Sequence, residues 1–310
     1  MRLRQQKHGC LGALDPRHLS ASVYWLFAMR FADCRRGTFI LSDDALGTEF
    51  LRLGAKFGDC LDQWNLTKPD LVRQVAESYI HAGSRVILTN TFRANPITLA
   101  SFGLQGQCVA INRAGVRISR QAAQNSALVF ASMGPIGKGT THGQLRNSFS
   151  VQAKALASEG PDALLIETMT DVEEARIAVG EALKTGLPVV VSLVLAWGKH
   201  NDTTLTGSTP EHVATALVSE GVHAIGANCI GIRESIPVCK RLAAVSSLPL
   251  WIKPNAGLPE FSNGVPTYKI TPEEFADSAL ELPTAGATFL GGCCGTSPAF
   301  IRALAARFRP

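Results

Sequence analysis

The 310-residue sequence lacks most of the features that would assign it at a glance. No apolar run approaches the length of a membrane span. The densest stretch, Leu187–Trp197, is short, contains Pro188 and Ser192, and reads as a buried strand. Eight cysteines are too few for a disulfide scaffold in a chain this long, and no secretory leader with an apolar core and a small-residue cleavage site is visible. Free thiols in a reducing, cytoplasmic setting are therefore expected, and a cluster of them points to metal binding or catalysis. A net excess of either charge is missing from the body of the chain. Residues 1–36 hold seven basic and two acidic residues and account for the whole net charge of +5, while the remainder balances 23 against 23. A neutral body carries no electrostatic footprint for nucleic acid. The histidines form no HExxH pair, no G-x-S-x-G elbow occurs, and no glycine-rich dinucleotide fingerprint follows the first predicted strand. Gly134-Pro-Ile-Gly-Lys-Gly139 has the outline of a phosphate loop, but the Lys and Ser/Thr are not in the required order, so a plain turn is expected.

What is present is an ordinary globular composition, 46% apolar and 18% charged. Residues 1–36 read as a basic, poorly ordered N-terminal extension, with a transit peptide or an upstream start before Met29 as alternatives. Residues 37–310 read as one domain without internal linker, repeat or low-complexity tract. Within it, short apolar runs alternate with longer stretches of helical spacing. The runs are Phe39–Ser42, Arg85–Leu88, Leu128–Ala131, Ala163–Ile166, Val189–Leu195, His223–Gly226, Leu250–Lys253 and Thr288–Leu290. Brief runs that are apolar on both faces are the mark of buried parallel strands. Helices are predicted over Pro69–Ala82, Asp171–Lys184, Pro210–Glu220, Glu234–Val245, Pro272–Leu280 and Pro298–Phe308, from their caps and terminal glycines. Eight such units predict a (β/α)8 TIM-type barrel, with a doubly wound sheet as the alternative.

In a barrel the chemistry sits at the C-terminal ends of the strands. There the sequence places Asp43-Asp44, Thr89-Asn90-Thr91, Met133-Gly134-Pro135, Glu167-Thr168, Asn228-Cys229, Lys253-Pro254-Asn255 and Gly291-Gly-Cys-Cys-Gly295. Cys293 and Cys294 on a Gly-flanked turn can both reach one metal, and Cys229 can add a third sulfur. Three thiolates without a clear fourth ligand describe a zinc site with an open position, and soft sulfur donors favour zinc over magnesium or calcium. Spacing alone leaves open the alternative of an ordinary buried cysteine and a chance doublet. Asp43 and Glu167 are candidates to hold a substrate ammonium group, or else members of a structural ion pair. Thr89 and Asn90 are candidate hydrogen-bonding residues, or else strand caps. Cys10, Cys34, Cys60, Cys108 and Cys239 read as ordinary thiols.

The stretches Asp43-Asp-Ala-Leu-Gly-Thr48, Leu88-Thr-Asn-Thr-Phe92, Gly134-Pro-Ile-Gly137, Ile166-Glu-Thr-Met-Thr-Asp171, Gly226-Ala-Asn-Cys229, Lys253-Pro-Asn-Ala-Gly-Leu-Pro259 and Gly291-Gly-Cys-Cys-Gly-Thr296 run in order through nearly the whole domain. Together they resemble the zinc-dependent homocysteine S-methyltransferase family, most of all the homocysteine-binding barrel of cobalamin-dependent methionine synthase. The resemblance implies Cys229, Cys293 and Cys294 as zinc ligands, with Asn255 completing the shell when substrate is absent. It implies Asp43, Thr89 and Glu167 around the amino-acid end of homocysteine, and attack of the thiolate on an activated methyl group to give methionine.

Two departures from the family pattern matter. The family usually has glycine where this chain has Asp44, which adds bulk and negative charge to the substrate-binding loop; the expectation is weakened homocysteine binding or an altered thiol acceptor. The folate and cobalamin modules do not follow the barrel, so the expected donor is a free molecule (S-methylmethionine, betaine or S-adenosylmethionine) or a separate corrinoid protein. Two rival readings are a Schiff-base aldolase using a Lys253 of depressed pKa, and a non-enzymatic zinc- and thiol-binding partner of a methyl-carrier protein.

Overall fold

The computed structural model describes residues 30–257, 260–262 and 265–308. The readings of residues 1–29 lie outside the described residues. Eight parallel strands form one sheet: β1 (Ile40–Leu41), β2 (Val86–Leu88), β3 (Leu128–Met133), β4 (Ala163–Met169), β5 (Val189–Leu193), β6 (Ala224–Gly231) and β7 (Leu250–Asn255), then, after an antiparallel hairpin of β8 (Glu260–Ser262) and β9 (Val265–Thr267), β10 (Ala287–Leu290). The order is β1-β10-β7-β6-β5-β4-β3-β2. A Ser42–Val86 bridge, with Asp43 N–H donating to Val86 O at 2.9 Å, joins the two ends. That closure gives the expected (β/α)8 barrel and excludes the doubly wound alternative.

The apolar runs sort by face. Val86, Leu88, Leu128, Phe130, Leu165, Trp251 and Phe289 fill the barrel interior, while Ile87, Val129, Leu164, Val191 and Ile252 pack outward against the helices. Both sets are buried, which is why the strands read as continuous apolar stretches rather than as alternation. Phe130, Trp251 and Phe289 meet with ring centroids 5.3–5.7 Å apart. Phe31, from the segment preceding β1, packs on Phe130 at 5.7 Å and on His223 at 6.1 Å. Arg36 donates to the carbonyls of Ala243 and Ser246. Residues 30–36 thus lie against the barrel, and the aromatic cluster floors its interior.

Among the described residues the sequence pattern missed six α-helices, three of them short (Trp64–Thr67, Pro96–Ala100 and Leu282–Ala285) and three longer: Leu46–Arg52, Cys108–Ala123 and His142–Ala157. Cys108–Ala123 contains Gly115 and ends on Gln124 at φ 46°, without the terminal glycine that marks its neighbours. His142–Ala157 had a legible start, since Thr141 and Gln144 form a capping box. The β8–β9 hairpin falls between the predicted strand Leu250–Lys253 and the predicted helix Pro272–Leu280, where no element is expected. Strands β4 and β6 also run further than their apolar stretches, through Glu167 and through Cys229. Each carries a register shift there, so a strand continues past an irregular residue.

A three-thiol centre in the barrel mouth

Cys229 lies within β6, and Cys293 and Cys294 lie on the turn after β10. Their sulfurs all fall within 4.8 Å of one another, and the Sγ atoms of Cys229 and Cys293 approach to 2.6 Å. The seven described cysteines are free thiols. The other four are dispersed; burial raises Cys34 and Cys239 to about 12 and Cys108 to about 11, as suits inert core thiols. At the centre the three thiols share protons. Hydrogen bonds from Cys229 and Cys293 hold Cys294 below its ordinary value, while bonding to Cys293 pushes Cys229 up. Three convergent sulfurs form a donor set that fits a soft or borderline metal ion.

Local backbone explains the convergence. Cys229 has φ 55° and Thr168, on β4, has φ 61°, both left-handed conformations that a side chain seldom adopts. Asn228 stabilises both bulges. Its Nδ2 donates to Thr168 Oγ1 at 2.7 Å, and its Oδ1 accepts from Thr168 N–H at 3.0 Å and from Ser192 Oγ at 2.6 Å. The turn bearing the two adjacent cysteines is held from β7. Cys293 N–H donates to Pro254 O at 2.6 Å, and Cys294 N–H donates to Asn255 Oδ1 at 3.0 Å. Asn255 therefore sits beside the centre with its amide oxygen engaged by the turn. Gly292 makes the packing feasible: a β-carbon there would stand 2.4 Å from Asp44 Oδ1 and 2.5 Å from Thr296 Oγ1.

The thiols open into a cavity of about 660 Å³ also lined by Asp44, Thr89, Asn90, Glu167 and Lys253. Asp43 stands just behind this wall and is fully committed. Its Oδ2 accepts from Leu88 N–H at 2.6 Å and its Oδ1 from Lys253 Nζ at 2.9 Å. Burial lowers the affinity of Lys253 for its proton, but attraction to Asp43 and Glu167 outweighs it and the net shift is upward. A charged, ion-paired lysine cannot serve as an amine nucleophile, which removes the physical basis of the aldolase reading. Glu167 accepts from Ser132 Oγ, and burial raises its carboxyl to about 7, opposed by Lys253 and Ser132. Thr89 Oγ1 accepts from Ser132 N–H at 3.0 Å and lies 2.5 Å from Thr91 Oγ1. Asn90 turns to the helical segment Leu61–Thr67, donating to Leu61 O at 2.8 Å and to Asn65 Oδ1 at 3.2 Å. Asp44 is 2% exposed, and burial pushes its carboxyl well up, opposed by Lys253 and the Gly292 backbone.

Sequence reasoning did not single out Asn228 or Ser132. Asn228 carried a signal, as the polar neighbour of a predicted ligand at a strand end; Ser132 lay one residue past the run Leu128–Ala131 and carried none. The phosphate-loop outline is settled by a carboxylate of the chain itself, because Ile136 N–H and Gly137 N–H both donate to Glu174 Oε1, at 2.6 and 3.1 Å. Among the described residues no helix is long and apolar enough to cross a membrane.

Comparison with known proteins places this geometry. A model of the family described as homocysteine S-methyltransferase matches residues 40–308. The chain is 29% identical over 313 residues to a methionine synthase of Mycobacterium tuberculosis, an alignment covering 93% of this chain and 26% of that protein. It is 28% identical over 292 residues to a methionine synthase of Mycobacterium leprae, covering 86% and 24%. It thus spans about a quarter of the length of these curated relatives. Among solved structures, the metallated form of the homocysteine methyltransferase MmuM from Escherichia coli superposes with a TM-score of 0.74 at 27% identity, covering 87% of this chain and 96% of that one. The apo form of the same protein gives 0.70 at 26%. The carboxyl transferase domain of Rhizobium etli pyruvate carboxylase, at 0.52 and 14%, shares the fold alone.

Proposed function

The chain belongs to the homocysteine S-methyltransferase family, and from that premise we propose that it transfers a methyl group from an activated donor to the thiol of homocysteine, forming methionine. The observation that carries the reading is the convergence of Cys229, Cys293 and Cys294 at the wall of a cavity that also presents Glu167 and Thr89. The three cysteines would hold zinc, whose bound chemistry is to make an entering thiol a thiolate at neutral pH. The homocysteine thiolate is then the nucleophile.

The chain's own residues bind and align. Glu167, steadied by Ser132, offers its carboxylate to the substrate ammonium, with Thr89 beside it. Asp43 acts through Lys253, holding that ammonium group charged and oriented toward the cavity. Asn228 and Asn255 fix the strand end and the turn that carry the thiols, and Asn255 remains the candidate for an additional ligand in the absence of substrate. The apolar floor confines the reacting groups to the rim, where alignment lowers the barrier. The donor is a free methylated small molecule or a methylated corrinoid on a separate protein. Free thiols at the centre suit a reducing compartment such as the cytoplasm.

The test starts with zinc per chain, measured on protein purified under reducing, oxygen-free conditions. Homocysteine binding and donor-dependent formation of methionine follow on the same preparation. About one zinc per chain, lost in Cys293→Ala, together with methionine formation supports the reading. A folded, fully reduced wild type that takes up no zinc and binds no homocysteine would refute it.

A further inference from the structure

Thr89, Asn90, Ser132 and Glu167 line one side of the cavity, and each is 8% exposed or less. Their protons can be followed one at a time. The two amide protons of Asn90 go to Leu61 O and Asn65 Oδ1, at 2.8 and 3.2 Å. The Ser132 hydroxyl donates to Glu167 Oε1. Thr91, 0% exposed behind that wall, donates its hydroxyl to Ser132 O at 2.7 Å. A hydroxyl has one proton, so in the 2.5 Å contact between Thr91 Oγ1 and Thr89 Oγ1 the donor is Thr89. Thr89 Oγ1 in turn accepts from Ser132 N–H at 3.0 Å. With Glu167 ionised, every side-chain proton of these residues is spent within the corner or behind it. What faces the cavity is lone pairs and a carboxylate.

Thr91 is itself held in place. Gln152, from the helix His142–Ala157, donates to Thr91 O at 2.8 Å. Asn65 and Asn112 donate to the carbonyls of Asn90 and Ala94, each at 2.7 Å. Carboxamides satisfy buried carbonyls without bringing in a charge that must be desolvated. The helix Cys108–Ala123 meets Thr91 at Gly115, where a β-carbon would stand 2.6 Å from Thr91 Cγ2. The loop after β2 is thus clamped through its carbonyls from outside the barrel, and Thr91 keeps one orientation.

The methyltransferase reading, on which this step rests, brings an amino-acid thiol to the cavity. Its ammonium end has only protons to give and its carboxylate end only lone pairs. A corner that offers acceptors alone takes the first and rejects the second. We propose that Thr91 is a positioning residue: by accepting the Thr89 proton it keeps Thr89 turned as an acceptor to the cavity, and so sets the site's demand for a primary ammonium on the thiol it binds. Thr91 touches no substrate. Without its hydroxyl, the Thr89 proton loses that acceptor and is free to swing toward the cavity, where it opposes an ammonium.

The test uses zinc-loaded full chain and two thiols, homocysteine and γ-mercaptobutyrate, the same acid without its amino group. Each is titrated by calorimetry above about pH 7, where Glu167 is ionised. Wild type is expected to bind homocysteine about 100-fold more tightly. Thr91→Val is expected to cut that preference about tenfold, with zinc content and the γ-mercaptobutyrate Kd within about twofold of wild type. Thr91→Ser, which restores the hydroxyl, is expected to keep the wild-type preference. Thr91→Ala, read in the same way, stands in for a Val variant that does not fold. The ratio of the two affinities cancels a general loss of packing. A wild type that binds both thiols alike overturns the proposal, as does a Val or Ala variant that keeps the full preference, or a Ser variant that loses it. Methionine formation is scored separately. A wild type that selects the ammonium and transfers no methyl group upholds the role of Thr91 and refutes the methyltransferase reading. Methyl transfer to both thiols with equal kcat/KM upholds that reading and overturns the role of Thr91. A wild type that binds neither thiol overturns both.

Discussion

Asn228 and Thr168 hold each other across the barrel rim, reaching over β5 to pair side chain with side chain at 2.7 Å and side chain with backbone at 3.0 Å. Both adjoin left-handed backbone, at Thr168 itself and at Cys229. Asn228→Ala leaves the Thr168 N–H and Ser192 hydroxyl without their shared acceptor. The expected cost is about 1–3 kcal/mol in urea unfolding. Metal affinity is expected to fall about 10–100-fold, as for other residues that orient metal ligands. A competitive zinc titration checks this, and an unchanged affinity would show that Cys229 holds its conformation unaided.

Chelation should empty the site without unfolding the barrel. The thiols sit on strand ends and turns, whereas the main core is a continuous apolar cluster between sheet and helices. Metal-free protein is expected to keep its far-UV circular dichroism and lose homocysteine binding. Loss of helical signal on chelation would mean that the metal is part of the folding free energy.

Asp43 and Lys253 are 0% and 3% exposed at the side chain and 2.9 Å apart. Breaking a buried pair at one member strands the other, so Lys253→Met is expected to destabilise by about 3–5 kcal/mol. Asp43→Asn with Lys253→Met should recover part of that loss, which a double-mutant cycle in denaturant reads directly. Borohydride with a carbonyl compound should leave wild-type Lys253 unmodified.

Glu167 gives a pH dependence of definite sign. Its folded value is raised from 4.5 to about 7, so the folded state holds the proton more tightly than the unfolded chain. The stability this lends is complete below 4.5 and is lost as pH rises through about 7. Binding an ammonium requires the ionised form, so homocysteine affinity should weaken as pH falls through about 7. Glu167→Gln is expected to flatten that acidic limb and to weaken binding above it. A limb that persists in the variant would assign the titration to another group.

The barrel was legible because β/α alternation with apolar strands is a strong local signal, and the rim residues followed from the rule that strand ends carry the chemistry. Partnerships were not legible. Nothing local in the sequence pairs Asp43 with Lys253, 210 positions away, or tells that the pair occupies both charges that a bare reading would offer to substrate. Chain order gives neighbours along a strand; the companions of a buried charge depend on which strands meet when the sheet closes.

Phe31, Phe130, Trp251 and Phe289 close the barrel at its floor, so among the described residues the cavity beside the thiols opens at the rim. In kinetic terms, under the proposed methyl transfer from a free small-molecule donor, acceptor and donor share that opening and must queue. The occupant nearest the thiols enters first and is blocked from leaving by the second. Initial-rate patterns should therefore be those of an ordered ternary complex, with the demethylated donor departing before the methylated thiol can escape.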